Sequence, residues 1–375
     1  MTTTAAVELE PVIDDLAVYL MPGRVKGPAP GHGAGPRRAL DEAVDAERLG
    51  IKTAFLTERY DLKNAPALLG GIGAVTTRLE IGTSPIVTSS RPPIVIAGFA
   101  ATMQAAFGER FILGLGRGIT EAPDGAGLLP FGDTAETFAD YVQMIKTLLR
   151  GEVVNYDGPA GRFRNLRMVD TLEGPPPPIW YCAMGGPKAC KLAAHVADGL
   201  MLMPMLTAEA TERAVKTFRE ERERIGLDPN SAQVCQSVVT ACELDEVKTA
   251  NITSARFVTY VVGGYQFLAK RYVRANGWDM DVIRRIGEHP MFGQRGQVSP
   301  SADESFYRSQ LLEPGALVPE EWMQESCAIG SVEKCVSRWQ DYRRAGADQI
   351  MLYGSTPADS VKLIDAWRRE SNRND

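Results

Sequence analysis

Four short stretches hold the residues whose types and spacing could do chemistry. In IWYCAMGGPKACKLA an apolar run passes through Ala183, Met184, Gly185 and Gly186 into a helical pattern, with Pro187 suited to the first turn. Free N–H groups at a helix start, beside backbone that carries no Cβ, admit an anionic oxygen, and the helix dipole favours negative charge there. A plain strand-to-helix turn has the same form. In ILGLGRG the glycines Gly114, Gly116 and Gly118 end an apolar run and lead into EAPDGAGLLPFGD rather than a helix, so a dinucleotide-binding reading fails on context. Relief of crowding at a strand end and close approach of a flat ligand both remain open for Gly116 and Gly118. In IGTSPIVTSSRPP, Thr83 and Ser84 precede a proline, Pro85, inside a strand pattern. Proline removes a ladder donor and marks a bulge or an edge, and Ser84-Pro85 is a bond whose cis form costs little. Glu58-Arg59 closes another apolar run, where the two charges either act on a bound group or pair with each other.

Other chemistries lack their residues. The three histidines, His32, His195 and His289, fall in a Gly/Pro loop, late in a helix and before Pro290, so none stands at an expected strand end. With no GxSxG elbow a Ser-His-Asp hydrolase is poorly supported, and no metal site is expected without histidines at strand ends. The six cysteines form no CxxC pair. Catalysis then falls mainly to a cofactor. A net charge of −6 argues against a nucleic-acid partner. The acidic start MTTTAAVELEPVIDD lacks the basic n-region of an export signal, so a cytoplasmic location with reduced thiols is expected. The apolar run Pro92 to Phe107, interrupted by Gly98 and Gln104, reads as a core helix rather than a membrane span, and no membrane partner is expected.

Eight short apolar runs can position these residues: Leu16–Leu20, Thr53–Thr57, Leu79–Ile86, Phe111–Leu115, Ile179–Cys182, Gly199–Met203, Val234–Ala241 and Gln349–Tyr353. Helical patterns such as RRALDEAVDAERLG, PALLGGIGAVTT and AETFADYVQMIKTLLRG lie between most of them. Strand and helix in alternation mean a parallel sheet. With no dominant Rossmann unit, a single α/β domain over 1–375, a (β/α)8 TIM barrel, is favoured over a doubly wound sheet. Two segments break the period. Residues 151–168 read as an inserted hairpin turning at Asp157-Gly158, and about 243–325 form a helical insertion before the last βα unit, expected to act as a lid. Its aromatics at 257, 260, 265, 267, 272 and 278 either wall an apolar substrate pocket or pack into the core or a dimer interface.

Taken in order, AERLGIKTAFLTER, RLEIGTSPIVTSSRPPIVIAGFAATM, ERFILGLGRG and IWYCAMGGPKACKLAAHVADG resemble the luciferase-like monooxygenase superfamily, specifically its coenzyme F420 (deazaflavin) dependent oxidoreductases. The resemblance covers about residues 14–203 and 326–370 and leaves out 243–325. It implies a barrel with the deazaflavin at the carboxyl ends of the strands. It places the family's cis-peptide bulge, which packs against the ring, on Ser84-Pro85, and the phosphate-binding turn on Ala183 to Lys188. The family usually has a non-prolyl bond at that bulge. Glu58-Arg59 takes the place of an acid–His pair and is the implied catalytic pair. Arg59 for His, and Ile119 where the sugar-phosphate branch carries an acid, argue against sugar-phosphate oxidation here. The implied reaction is hydride transfer between F420 and a small organic substrate. The alternatives are an FMN-dependent monooxygenase using molecular oxygen and a non-catalytic flavin-binding barrel; a homodimer is compatible with each.

Overall fold

The computed structural model describes residues 9–23, 35–58, 63–118, 134–262, 266–293 and 306–374. Its strands in chain order are β1 (Ile13–Tyr19), β2 (Ile51–Leu56), β3 (Glu80–Thr83), β4 (Ile86–Val87), β5 (Phe111–Gly116), β6 (Val154–Gly158), β7 (Gly161–Leu166), β8 (Ile179–Ala183), β9 (Gly199–Leu202), β10 (Gln233–Cys242), β11 (Cys327–Gly330) and β12 (Gln349–Tyr353). A closed parallel barrel runs β1-β2-β3-β5-β8-β9-β10-β12 and back to β1, with β4 continuing β3 along β5. This is the expected (β/α)8 barrel, and each of the eight expected runs contributes a strand. The strands are apolar on both faces because helices cover the outside and side chains fill the inside. Ala17, Phe55, Ile112, Trp180, Met201, Cys235 and Met351 form the inner cluster. Gly82 makes room for it, since a Cβ there would lie 2.7 Å from the Phe55 ring. Burying large side chains such as Phe55 and Trp180 stabilises the fold by about 1.5–3 kcal/mol each.

The early helices are α1 (Arg38–Arg48), α2 (Ala65–Val75), α3 (Pro93–Phe107), α4 (Ala135–Leu149), α5 (Pro187–Val196) and α6 (Ala208–Arg224). The stretch expected as a core helix is α3, which ends at Gly108 in the left-handed region. At the starts of α2, α4 and α6 the side chains of Asn64, Thr134 and Thr207 accept hydrogen bonds from Ala67, Thr137 and Ala210 N–H groups. No described helix is long and apolar enough to cross a membrane.

Three local expectations need correcting. The run Leu79–Ile86 is two strands, broken at Ser84-Pro85. The hairpin β6–β7 turns at Pro159-Ala160 instead of Asp157-Gly158, because Asp157 is drawn into the ladder opposite Arg162 and pairs with it at 2.9 Å. Proline's fixed φ then suits the corner. Finally, β11 adds a short strand beside the carboxyl half of β10 that the sequence pattern did not reveal.

Within 243–325 lie α7 (Glu246–Ile252), α8 (Ser254–Val261), α9 (Gln266–Asn276) and α10 (Met280–Gly287). Phe257 packs edge-on against Tyr272, Trp278 and Trp322, and Trp278 stacks on Trp322 with ring centroids 4.6 Å apart. Phe257, Tyr272 and Trp278 are therefore the insertion's own core and not a pocket wall. Tyr260 points instead to the barrel. Tyr265 and the side chain of Phe267 lie outside the described residues. The insertion is tied to the loop after β9, where Tyr272 donates to the Pro204 carbonyl at 3.0 Å and Asn276 to that of Met205 at 2.8 Å.

Candidate active site

The carboxyl ends of the barrel strands bring together most of the residues singled out from sequence. Between Gly82, paired with Ile112, and Ile86, paired with Leu115, the chain carries one residue more than β5 does, which makes a bulge of Thr83, Ser84 and Pro85. Its Ser84-Pro85 bond is cis, as expected. The bulge is fixed from both sides. On the β2 side, Ser84 N donates to Leu56 O and Glu58 N to Pro85 O, each at 2.9 Å, and the Thr57 hydroxyl donates to the Ser84 carbonyl. Toward β5, the Thr83 hydroxyl donates to Gly114 O at 2.7 Å. The Ser84 hydroxyl turns inward to Met201 Sδ, at 2.6 Å, beside Cys182.

The glycines of ILGLGRG are explained by that bulge. A Cβ on Gly114 would stand 1.9 Å from the Thr83 carbonyl oxygen, one on Gly116 would stand 2.8 Å from the Pro85 ring, and one on Gly118 would stand 2.4 Å from Val87. Gly118 also holds φ at 84°. Gly114 and Gly116 thus give the bulge its space, and Gly118 yields to the Val87 side chain of β4. Arg117 between them faces the Tyr181 phenol, whose ionisation burial pushes up to about 12 despite that cation.

Glu58 is buried, yet its carboxylate is engaged. Arg91 donates to one oxygen, and the Ala65 N–H at the start of α2 donates to the other at 2.5 Å. The phenol of buried Tyr141 in turn donates to Arg91 O at 2.6 Å. This chain of contacts ties the end of β2 to the loop after the bulge. Among the described residues the charged partner of Glu58 is Arg91, which sequence reasoning missed, since only its place beside the bulge motif pointed to it. Arg59 and Ile119 lie outside the described residues.

At the end of β8, Ala183 and Met184 are buried and the backbone turns at Gly185, with φ at 74°, into α5. A Cβ on Gly185 would press on Ala214 at 3.1 Å, whereas one on Gly186 meets nothing within 4 Å. Gly186 caps α5 with no side chain, Pro187 follows at the first turn, and among the described residues none accepts from the N–H of Gly185, Gly186 or Lys188. The turn is open, exposed and rich in unsatisfied donors. Only β5 separates it from the bulge.

The opposite rim consists of side chains. Tyr19 and Tyr353 end the neighbouring strands β1 and β12 with ring centroids 4.4 Å apart. Tyr260 of α8 shares a 2.7 Å hydrogen bond with the Tyr353 hydroxyl, and the Arg256 guanidinium lies 4.7 Å from the Tyr353 ring centroid. Of these four only Tyr260 was offered from sequence, as one possible pocket-wall aromatic; an aromatic closing a strand run was the only signal for Tyr19 and Tyr353. His195 of α5 pairs with Glu221 of α6, and His289 lies near Glu313, so neither described histidine stands at a barrel strand end. Among the described residues no cluster of His, Cys, Asp and Glu could hold a metal ion.

The chain as a whole has counterparts among known proteins. The model of the luciferase-like monooxygenase family matches residues 18–349, and the chain belongs to that family. The bounds of the match span 243–325. An F420-dependent glucose-6-phosphate dehydrogenase of Nakamurella multipartita is 34% identical over 181 residues, 44% of this chain and 52% of that protein. The chain thus matches about half the length of that relative. A 5,10-methylenetetrahydromethanopterin reductase of Methanolobus tindarius is 24% identical over 325 residues, 85% of this chain and 91% of that protein. In fold, the chain is similar to the coenzyme F420 dependent tetrahydromethanopterin reductase of Methanopyrus kandleri, with a TM-score of 0.74, 19% identity and coverage of 95% and 97%.

Proposed function

We propose that the protein is an F420-dependent oxidoreductase acting on a small organic molecule. The observation that carries this reading is the pair of backbone features on one rim: the glycine turn with free donors at the start of α5, and the Ser84-Pro85 bulge one strand away. The Gly185, Gly186 and Lys188 N–H groups suit a phosphate, because Gly186 leaves the approach clear and the dipole of α5 favours negative charge. Thr83, Ser84 and Pro85 offer a flat surface for a tricyclic ring, with Gly114 and Gly116 leaving that surface its space and Gly118 making room for Val87 beside it. A deazaflavin bound there supplies a hydride donor or acceptor.

The chain's own residues orient and exclude. Glu58, locked by Arg91 and the start of α2, is a positioning residue for the end of β2. Arg59 is proposed to act electrostatically on charge that develops during transfer. The insertion, anchored to Pro204 and Met205, covers the mouth and limits water. An FMN-dependent monooxygenase built on the same rim is the second reading, which the family name supports. A flavin-binding barrel without turnover is the third. Six cysteines, all unpaired, suit a reducing cytoplasm.

Parallel titration of F420 and FMN, followed by anaerobic mixing of the reduced cofactors with carbonyl, imine and activated-alkene substrates, tests the proposal. Binding of F420 together with substrate-dependent oxidation of its reduced form supports it. Tight FMN binding with oxygen consumption replaces it with the second reading.

A further inference from the structure

Arg256 is 7% exposed, and its Nε has no hydrogen-bond partner. Burying an unsatisfied charged donor is costly, so such a group is rare unless something completes it. Its Nη2 reaches Met21 Sδ, a weak acceptor, at 3.7 Å, and the guanidinium also meets the Tyr260 hydroxyl. Nε and Nη2 form one edge of the guanidinium, the edge that takes a carboxylate through two parallel hydrogen bonds. The neighbours that bear most on its charge are three phenols, Tyr353, Tyr260 and Tyr19. Burial pushes the Tyr260 phenol well above its usual range, so it stays neutral and keeps a proton to donate. The group therefore combines one positive charge, phenolic donors and the faces of two aromatic rings.

We propose that Arg256, with Tyr260 and Tyr353, is the anchor for a carboxylate on the substrate, which enters by displacing the Met21 thioether from the Nε–Nη2 edge. This rests on the oxidoreductase reading and narrows its substrate to a small organic monoanion. One guanidinium among neutral phenols matches a single negative charge better than a phosphate dianion. The rings of Tyr19 and Tyr353 suit a flat or apolar body next to that charge. Tyr19 also packs against the inner cluster that contains Met201, the residue that Ser84 touches. A Met21 side chain is flexible enough to yield.

The probe is benzoate, with benzyl alcohol as its uncharged counterpart and inorganic phosphate as the dianion. Each is titrated by calorimetry into the protein with saturating F420 and into the protein alone. Benzoate is expected to bind at least tenfold more tightly than benzyl alcohol or phosphate. Arg256→Met should erase that preference, Arg256→Lys should keep part of it, and Tyr260→Phe should weaken benzoate several-fold, with F420 affinity unchanged in all three. If Arg256→Met does not fold, the other two variants decide. Benzoate binding no better than benzyl alcohol, phosphate binding more tightly than benzoate, or wild-type benzoate affinity in both Arg256→Lys and Tyr260→Phe would overturn the anchor. Arg256-dependent benzoate binding by a protein that ignores F420 would uphold the anchor and remove the cofactor reading beneath it.

Discussion

The two rims of the barrel mouth are built from different materials. On the β3–β5–β8 side the distinctive features are backbone: a bulge, glycines that yield space to it, and N–H groups at an uncapped helix. On the β12–β1 side they are side chains, with Tyr19, Tyr353, Tyr260 and Arg256 meeting above the strand ends. A backbone rim recognises a group of fixed shape and tolerates little change. A side-chain rim can be altered one residue at a time, which suits the half of a site that must tell substrates apart.

That contrast can be broken most severely at Gly114. Gly114→Ala puts a methyl group 1.9 Å from the Thr83 carbonyl, a backbone atom that cannot swing aside. Denaturant titration should show a loss of more than about 3 kcal/mol, or no folded protein at all. Gly186→Val separates binding from folding on the same rim. Its Cβ meets no protein atom and its backbone is already extended, so the melting temperature should hold while cofactor affinity falls by well over tenfold. Fluorescence titration measures this, and unchanged affinity in the folded variant removes the phosphate assignment.

Glu58 probes the joint between the rims. Glu58→Ala leaves the Ala65 N–H and the Arg91 guanidinium without their acceptor, so urea unfolding should show a loss of about 2 kcal/mol. Glu58→Gln, which keeps an oxygen for Ala65, should recover part of it. An equal loss in both would show that the charge, and not the helix-start bond, matters.

The smallest effect is expected far from both rims. Hydrogen bonds from Arg224 and His195 hold the Glu221 carboxyl down to about 2, below its ordinary 4.5. A depressed folded value means that the stabilisation is complete above about pH 4.5 and lost as pH falls toward 2. The melting-temperature difference between wild type and Glu221→Gln should therefore be present at pH 6 and vanish on acidification. Cofactor affinity should not change.

The same contrast explains how much was legible in the sequence. Strands covered on both faces are continuous apolar runs, so all eight barrel strands could be read. The bulge, the glycines and the helix start are contiguous motifs, and they too were visible. Arg256 was not, because its contacts lie at Met21 and Tyr353, far away along the chain, and an arginine on an amphipathic helix reads as a surface residue until the fold buries it. The partner of Glu58 was hidden for the same reason. Asp157-Gly158 was a sound turn signal, but pairing with Arg162 took Asp157 into the ladder and left the corner to Pro159.

The central claim, that the backbone rim holds a deazaflavin, is tested most directly by titrating F420 and FMN side by side into the wild-type protein and following the fluorescence of each. The account predicts that F420 binds at least tenfold more tightly than FMN. Tight FMN binding with no response to F420, and oxygen uptake once the bound flavin is reduced, would contradict it.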